Sequence, residues 1–130
     1  MKDRKNLAEA KALIPLLRSI ANEVRERRLH LARHEALRQA FLSSPTNEGF
    51  VTALEDLDTE IRNENRGIEY ALAELDGLGL NVQSTRPFIV HIPGRTPGGD
   101  VVFSWEENQA GATFRETEEV PDEASNIELA

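Results

Sequence analysis

The chain of 130 residues carries a formal net charge of −8 and has no cysteine, which excludes disulfides, thiolate metal ligands and thiol nucleophiles. Hydrophobic residues make up 39% of the chain but aromatic residues only 5%, which is more typical of long solvated helices than of a compact core. The longest uncharged apolar run, residues 12–17, is too short to span a bilayer, and Glu9 and Lys11 interrupt the run that a signal peptide needs. We therefore expect a cytoplasmic protein with no membrane contact.

Residues 7–42 are predicted to form the first of two long amphipathic helices. Asn6 and Glu9 have capping-box spacing, in which each side chain accepts a hydrogen bond from the other residue's backbone N–H. Pro15 lies inside the apolar pattern, so we expect a kink there, because proline removes a backbone hydrogen bond while the pattern continues in phase. The apolar seam has spacings of three and four and consists of Leu7, Ala10, Ile14, Leu17, Ala21 and Val24.

Residues 46–78 are predicted to form the second helix, which Ser43-Ser44-Pro45 joins to the first. Gly77 and Gly79 are expected to end it, since glycine is the usual residue after a helix C-terminus. Its seam consists of Phe50, Leu54, Leu57, Ile61, Glu64, Ile68, Ala71 and Leu75 and is apolar except at Glu64.

The two predicted helices carry opposite charge. Residues 1–42 contain ten Lys/Arg and five Asp/Glu residues, whereas residues 46–78 contain two and nine. Opposite charge favours antiparallel docking, although each exposed pair contributes only about 0.2–1 kcal/mol. We expect a coiled-coil-like hairpin in which the numbers of facing residues add up to about 88, so that Ala21 faces Gly67.

Residues 80–116 change to the two-residue period of strands and predict a small antiparallel β-meander. One strand alternates through Phe88, Val90 and Ile92, and another through Val101, Phe103 and Trp105. The glycine-rich segment 93–99 between them predicts a hairpin loop; it lacks the Lys-Ser/Thr ending and following helix of a phosphate-binding loop. Two further short strands are predicted at Leu80–Gln83 and Ala112–Arg115.

Residues 117–130 are predicted to form an acidic, flexible tail, because they contain too few apolar residues to offset the entropy of ordering. The fold class is therefore α+β. A single domain of residues 1–116 comprises a long antiparallel two-helix hairpin and a small antiparallel sheet.

Several of these segments together resemble an uncharacterised bacterial family known as domain of unknown function 2203. The resemblance covers residues 6–116 and rests on segments 6–10, 12–16, 78–82, 88–93 and 101–105. It implies the same fold and a prokaryotic cytoplasmic setting. It implies no activity, since none is established for the family.

Two groups of residues are candidate sites. His30 and His34 are four residues apart on one helical face, a spacing that can place two imidazoles on one metal. No third ligand is marked, so solvated or helix-pairing histidines are the favoured interpretation and no cofactor is expected. Near the sheet, His91, Arg95 and Trp105 are candidates for a small ligand or anion in a pocket at the base of the hairpin.

No set of catalytic residue types occurs at the spacing that a reaction requires, so the sequence favours a function other than catalysis. The negative net charge and the lack of interleaved aromatic residues in the basic run 25–34 argue against nucleic-acid binding. The favoured function is an interaction or assembly module, with a homodimer as the first expectation and a further protein partner possible; the alternative is a ligand binder or enzyme. Apolar residues off the seam predict self-association through the hairpin: Leu13, Leu16, Ile20, Leu29, Val51 and Leu72.

Overall fold

The computed structural model describes residues 4–43, 49–108 and 111–118 and confirms the predicted α+β class. The chain divides into two compact units. The sheet unit contains the residues up to Leu17 and those from Leu75 onward, and the hairpin unit contains Arg18–Glu74. The elements are α1 (Leu7–Ala12), α2 (Ile14–Ser43), α3 (Phe50–Gly77), β1 (Asn81–Thr85), β2 (Phe88–Thr96), β3 (Gly99–Asn108) and β4 (Gly111–Glu118).

The first predicted helix is bent where α1 meets α2. Leu13 lies between them with helical backbone angles, φ −81° and ψ −15°. Pro15 has no N–H to donate to the Lys11 carbonyl, so the helical hydrogen-bond ladder is interrupted there. The ladder resumes where the Leu17 N–H donates to the Leu13 carbonyl at 3.0 Å. The predicted kink is therefore confirmed.

In the hairpin unit, α2 and α3 are antiparallel, because the numbers of facing residues rise along one helix as they fall along the other. The facing pairs are Arg27 with Glu64 (3.0 Å), Arg38 with Asp58 (2.6 Å) and Phe41 with Phe50 (ring centroids 6.2 Å apart). These numbers add up to between 91 and 96, so the predicted register near 88 was wrong. The predicted turn at Ser44-Pro45 lies outside the described residues. Gly49 has φ +84° and directly precedes α3, which begins four residues later than predicted.

The interior of the hairpin unit contains residues of the predicted seams, and Ile20, which was predicted to lie off the seam, is buried with them. Its buried apolar side chains are Ile20, Ala21, Val24, Leu57, Ile68 and Ala71. Farther along the hairpin, Leu31, Leu54 and Ile61 are only half-buried. The apolar seam thus packs tightly at one end of this unit and is wetter toward the connection.

The sheet is an antiparallel meander in the order β1-β2-β3-β4, which confirms the prediction. The predicted loop at residues 93–99 was too long. β2 continues to Thr96, β3 begins at Gly99, and only Pro97 and Gly98 lie in the turn. β4 continues to Glu118, two residues past the predicted domain limit. The rest of the predicted tail lies outside the described residues.

An N-terminal segment that the sequence did not reveal lies along one edge of β2. The Lys5 N–H donates to the Pro93 carbonyl and the Arg95 N–H donates to the Lys5 carbonyl, both at 2.9 Å, which makes a parallel bridge to Gly94. The Arg4 guanidinium donates to the Gly94 carbonyl at 3.1 Å. Pro93 is tolerated within β2 because its carbonyl, and so its missing N–H, points away from β3, and β1 pairs with β2 only as far as His91.

The local signals at both ends of the helical region are confirmed. The Glu9 N–H donates to Asn6 Oδ1 at 2.8 Å and the Asn6 N–H donates to Glu9 Oε1 at 2.9 Å, as a capping box requires. After α3, Gly79 has φ +81°, and the Leu80 N–H donates to the Leu75 carbonyl at 3.1 Å. This Schellman arrangement turns the chain directly into β1.

The side chains of the sheet alternate between two faces. We call the first the apolar face; its buried side chains are Phe88, Val90, Ile92, Val101, Phe103 and Trp105. Within it the ring centroids of Phe88 and Trp105 are 6.4 Å apart at 67°. We call the opposite face the polar face, since it carries the intervening residues, among them His91 and Ser104. α1 packs against β2, and Ala10, Leu17, Leu75 and Leu80 complete the buried set of the sheet unit.

Candidate functional site

The three ligand candidates from the sequence do not come together. Trp105 is 1% exposed on the apolar face, where it pairs with Val90. His91 pairs with Ser104 and lies on the polar face. A site that uses both the indole and the imidazole would have to reach through the sheet, so the predicted combination of side chains is split.

Arg95 shares the polar face with His91 but lies near the end of β2. It is exposed, and its Nε lies 3.7 Å from Asp100 Oδ1. Arg4 contacts the same carboxylate, with its Nε 3.3 Å from Asp100 Oδ2. This carboxylate between two guanidinium groups fastens the N-terminal segment to the hairpin of β2 and β3.

A row of polar side chains crosses the middle of the polar face. The strand register aligns Asn81 with His91, His91 with Ser104, and Ser104 with Arg115. We call these four residues the polar row. Directly opposed side chains in antiparallel strands have Cβ atoms about 4.5–5.5 Å apart, so each member of the row lies beside the next.

The centre of the polar row makes no side-chain hydrogen bond within the described part of the chain, and its polar atoms are accessible to water. His91 and Ser104 are half-buried, and neither side chain makes a hydrogen bond or ion pair with a described residue. At the β4 end, Arg115 Nη2 lies 3.9 Å from Glu106 Oε1, which is too long for a hydrogen bond. The row therefore combines a hydroxyl, an imidazole and a loosely held guanidinium.

Burial lowers the pKa of His91 below its ordinary value of 6.5. Between the folded-state pKa and 6.5 the unfolded chain binds more protons, so stability rises with pH in that window and is lower below it. We expect His91→Gln to weaken this dependence, measured as the urea midpoint between about pH 5 and 7.5. Equal slopes for the two proteins would show that His91 does not contribute.

His30 lies in the contact between α2 and α3. Its Nδ1 is 3.2 Å from Glu64 Oε2, and Arg27 Nη1 donates to the other oxygen of Glu64 at 3.0 Å. Arg27 also donates to Glu23, and this hydrogen bond, followed by that to Glu64, raises the pKa of Arg27. His34 is half-buried one turn farther on. Within the described residues no three His, Asp or Glu side chains form a group suited to a metal.

The face of α2 that points away from α3 carries an apolar stripe. Arg38 faces α3 through its ion pair with Asp58, and Leu29, nine residues earlier, lies about 180° around the helix from it. Leu29 is 54% exposed and Leu37 is 49% exposed. We call this surface the outer stripe; its members, all exposed, are Leu29, Ala32, Ala36, Leu37 and Ala40.

The outer stripe differs from the surface that the sequence suggested for self-association. Leu29 and Val51 are exposed as expected, whereas Ile20 is 3% exposed and belongs to the interior of the hairpin unit. Leu13, Leu16 and Leu72 are half-buried. The three alanines were missed because alanine is a weak hydrophobic signal, although their spacing of four residues was visible in the sequence.

The fold defines an α+β protein with a bent long helix, a second helix and a four-stranded antiparallel sheet. The chain belongs to the family described as "Uncharacterized conserved protein (DUF2203)", whose model matches residues 6–119. None of the curated proteins matches the chain. No solved structure matches it either. Among the described helices, none has a stretch long and apolar enough to cross a membrane.

Proposed function

We propose that this protein is a non-enzymatic assembly module that forms a homodimer through the outer stripe of α2. The observation that supports this most directly is the pair of half-exposed leucines: Leu29 lies on the side of α2 opposite its partner helix, and Leu37 lies about 80° around the helix from Leu29. A helix whose partner already covers one face has no need of a second apolar stripe in a monomer. The proposed setting is the bacterial cytoplasm. Disulfides are rare in that compartment, and the chain has no cysteine to form one.

The composition of the stripe favours a second copy of α2 as the occupant. Alanines let two helix backbones approach closely, and leucines then fill the space beside them. An antiparallel pair with its twofold axis near residues 34 and 35 would set Leu29 against Ala40 of the copy and Ala32 against Ala36. Leucine then meets alanine at the two ends and alanine meets alanine near the centre of a short coiled-coil-like contact, which makes a four-helix bundle of two hairpins.

The free energy gained by burying the leucines, compared with the cost of association, favours a weak dimer. Full burial of a leucine side chain is worth roughly 1.5–3 kcal/mol, and these leucines are already about half-buried. Four such leucines, two from each copy, contribute on the order of 3–6 kcal/mol, against an association cost of about 4–15 kcal/mol. Association therefore depends on the alanine contacts as well, and we expect a dissociation constant in the micromolar range rather than the nanomolar range.

The test is a substitution that places a charge in the stripe without disturbing either unit. Ala36→Glu should hold the protein monomeric in sedimentation velocity across about 10–500 µM, while the unaltered chain gains mass over this range. Ala73→Glu is the matched control, because Ala73 is an exposed alanine on α3, and it should associate like the unaltered chain.

A second variant tests the antiparallel register. Ala32→Lys combined with Ala36→Glu should restore association, because each new lysine would face the new glutamate of the other copy. The proposal fails if the unaltered chain stays monomeric at high micromolar concentration, or if Ala36→Glu and Ala73→Glu associate equally.

A further inference from the structure

We propose that the polar row of the sheet binds a small oxyanion of the carboxylate or phosphate class, centred on Ser104. This inference is independent of the proposed dimer, since the row belongs to the sheet unit and the outer stripe to the hairpin unit. It replaces the predicted combination of His91, Arg95 and Trp105 with one that lies on a single face.

The register of β2, β3 and β4 places three donor side chains next to one another. Ser104 lies between His91 on β2 and Arg115 on β4, directly opposite each. With strands about 4.8 Å apart, an oxyanion held by the Ser104 hydroxyl lies within reach of both neighbours. Hydroxyl, imidazole and guanidinium N–H groups are all donors that oxyanions accept from.

The donor groups of the polar row are available to a ligand. The Ser104 hydroxyl and the His91 imidazole are half-buried without a partner among the described residues. Both groups are accessible to solvent and can therefore donate to a ligand in place of water. The Arg115 guanidinium is 67% exposed and therefore free to reorient toward a ligand.

The carboxylate of Glu106 competes with a bound anion for Arg115. Glu106 is two residues from Ser104 on the same face and is the group that Arg115 approaches, at 3.9 Å. An anion at the row must draw Arg115 away from Glu106 and must also tolerate its negative charge. Removing that charge should therefore strengthen binding, an outcome that a merely structural role for these residues does not produce.

The experiment is an NMR titration of the full chain with inorganic phosphate and, separately, with acetate, each at constant ionic strength set by sodium chloride. We expect saturable shifts of the His91 ring signals and of the Ser104 and Arg115 amides, with a dissociation constant in the millimolar range. The two anions distinguish a phosphate-bearing from a carboxylate-bearing ligand.

Substitutions in the polar row and at Glu106 should change the binding affinity in opposite directions. Arg115→Gln should weaken binding about tenfold or more, and Ser104→Ala about threefold or more, while Glu106→Gln should strengthen it about threefold or more. Arg95→Gln is the matched control, because Arg95 is an exposed arginine on the same face beside Asp100, and its loss should leave binding unchanged. The proposal is overturned if chloride produces the same shifts, if Arg95→Gln weakens binding as much as Arg115→Gln, or if Glu106→Gln weakens it.

Discussion

Trp105→Ala is expected to lower the free energy of unfolding by about 3–5 kcal/mol, the range for truncation of buried aromatic residues. Trp105 is 1% exposed, lies on β3 between Val90 of β2 and Phe114 of β4, and makes an edge contact with Phe88. Removing the indole leaves a cavity among the close-packed side chains of the apolar face, which relax only partly to fill it.

Urea unfolding followed by far-ultraviolet circular dichroism measures this loss, because the substitution removes the chain's single tryptophan and with it the usual fluorescence signal. The matched control is Tyr70→Ala, since Tyr70 is an aromatic residue that is 69% exposed on α3. It should change stability by no more than about 0.5 kcal/mol. A loss below about 1 kcal/mol for Trp105→Ala would contradict the packing described for the apolar face.

Features set by neighbouring residues were predictable from the sequence. The capping box of Asn6 and Glu9, the kink near Pro15 and the end of α3 at Gly79 each depend on groups within one or two helical turns. The alternation of β2 and β3 likewise assigned each residue to one of two faces. Such signals need no knowledge of what the segment packs against.

Features set by distant residues were not predictable. Glycine-rich residues 93–99 were predicted to form a loop, but the end of β2 pairs there with the start of β3, and Lys5 supplies further backbone partners on the other side of β2. Arg4 and Gly94, joined by a hydrogen bond, are 90 positions apart in the chain. Nothing in the local pattern around Lys5 marks it as part of a sheet.

The candidate sites show the same limit. Parity within each strand separated His91 from the residues of the apolar face, but only the register revealed that Ser104 and Arg115 stand in its row. On the hairpin, the side of α2 on which Leu29 lies followed from helical periodicity. That this side is uncovered depends on where α3 packs, which the ion pair of Arg38 with Asp58 establishes.

Gly94→Ala is expected to destabilise the protein by about 1–3 kcal/mol through overpacking. Gly94 lies on the apolar face opposite Val101, and a Cβ atom built there would overlap the ring of Phe103. That ring is fully buried and stacks on Phe114 with centroids 5.7 Å apart, so it has little room to retreat. The backbone entropy that alanine saves in a strand, about 0.5–1 kcal/mol, is too small to offset the displacement.

Gly67→Ala is the comparison that separates overpacking from the general effect of removing a glycine. Gly67 is also buried, but the atoms nearest to a Cβ atom built there belong to the guanidinium of Arg27, the far end of a flexible side chain. Alanine gains about 0.8–1 kcal/mol over glycine in a helix interior, which offsets a shift of Arg27 against Glu64. Stability by urea unfolding should therefore change by less than about 1 kcal/mol in Gly67→Ala. If the two variants were equally stable, the ring of Phe103 would have to be mobile, and the close packing of the apolar face around Gly94 would be wrong.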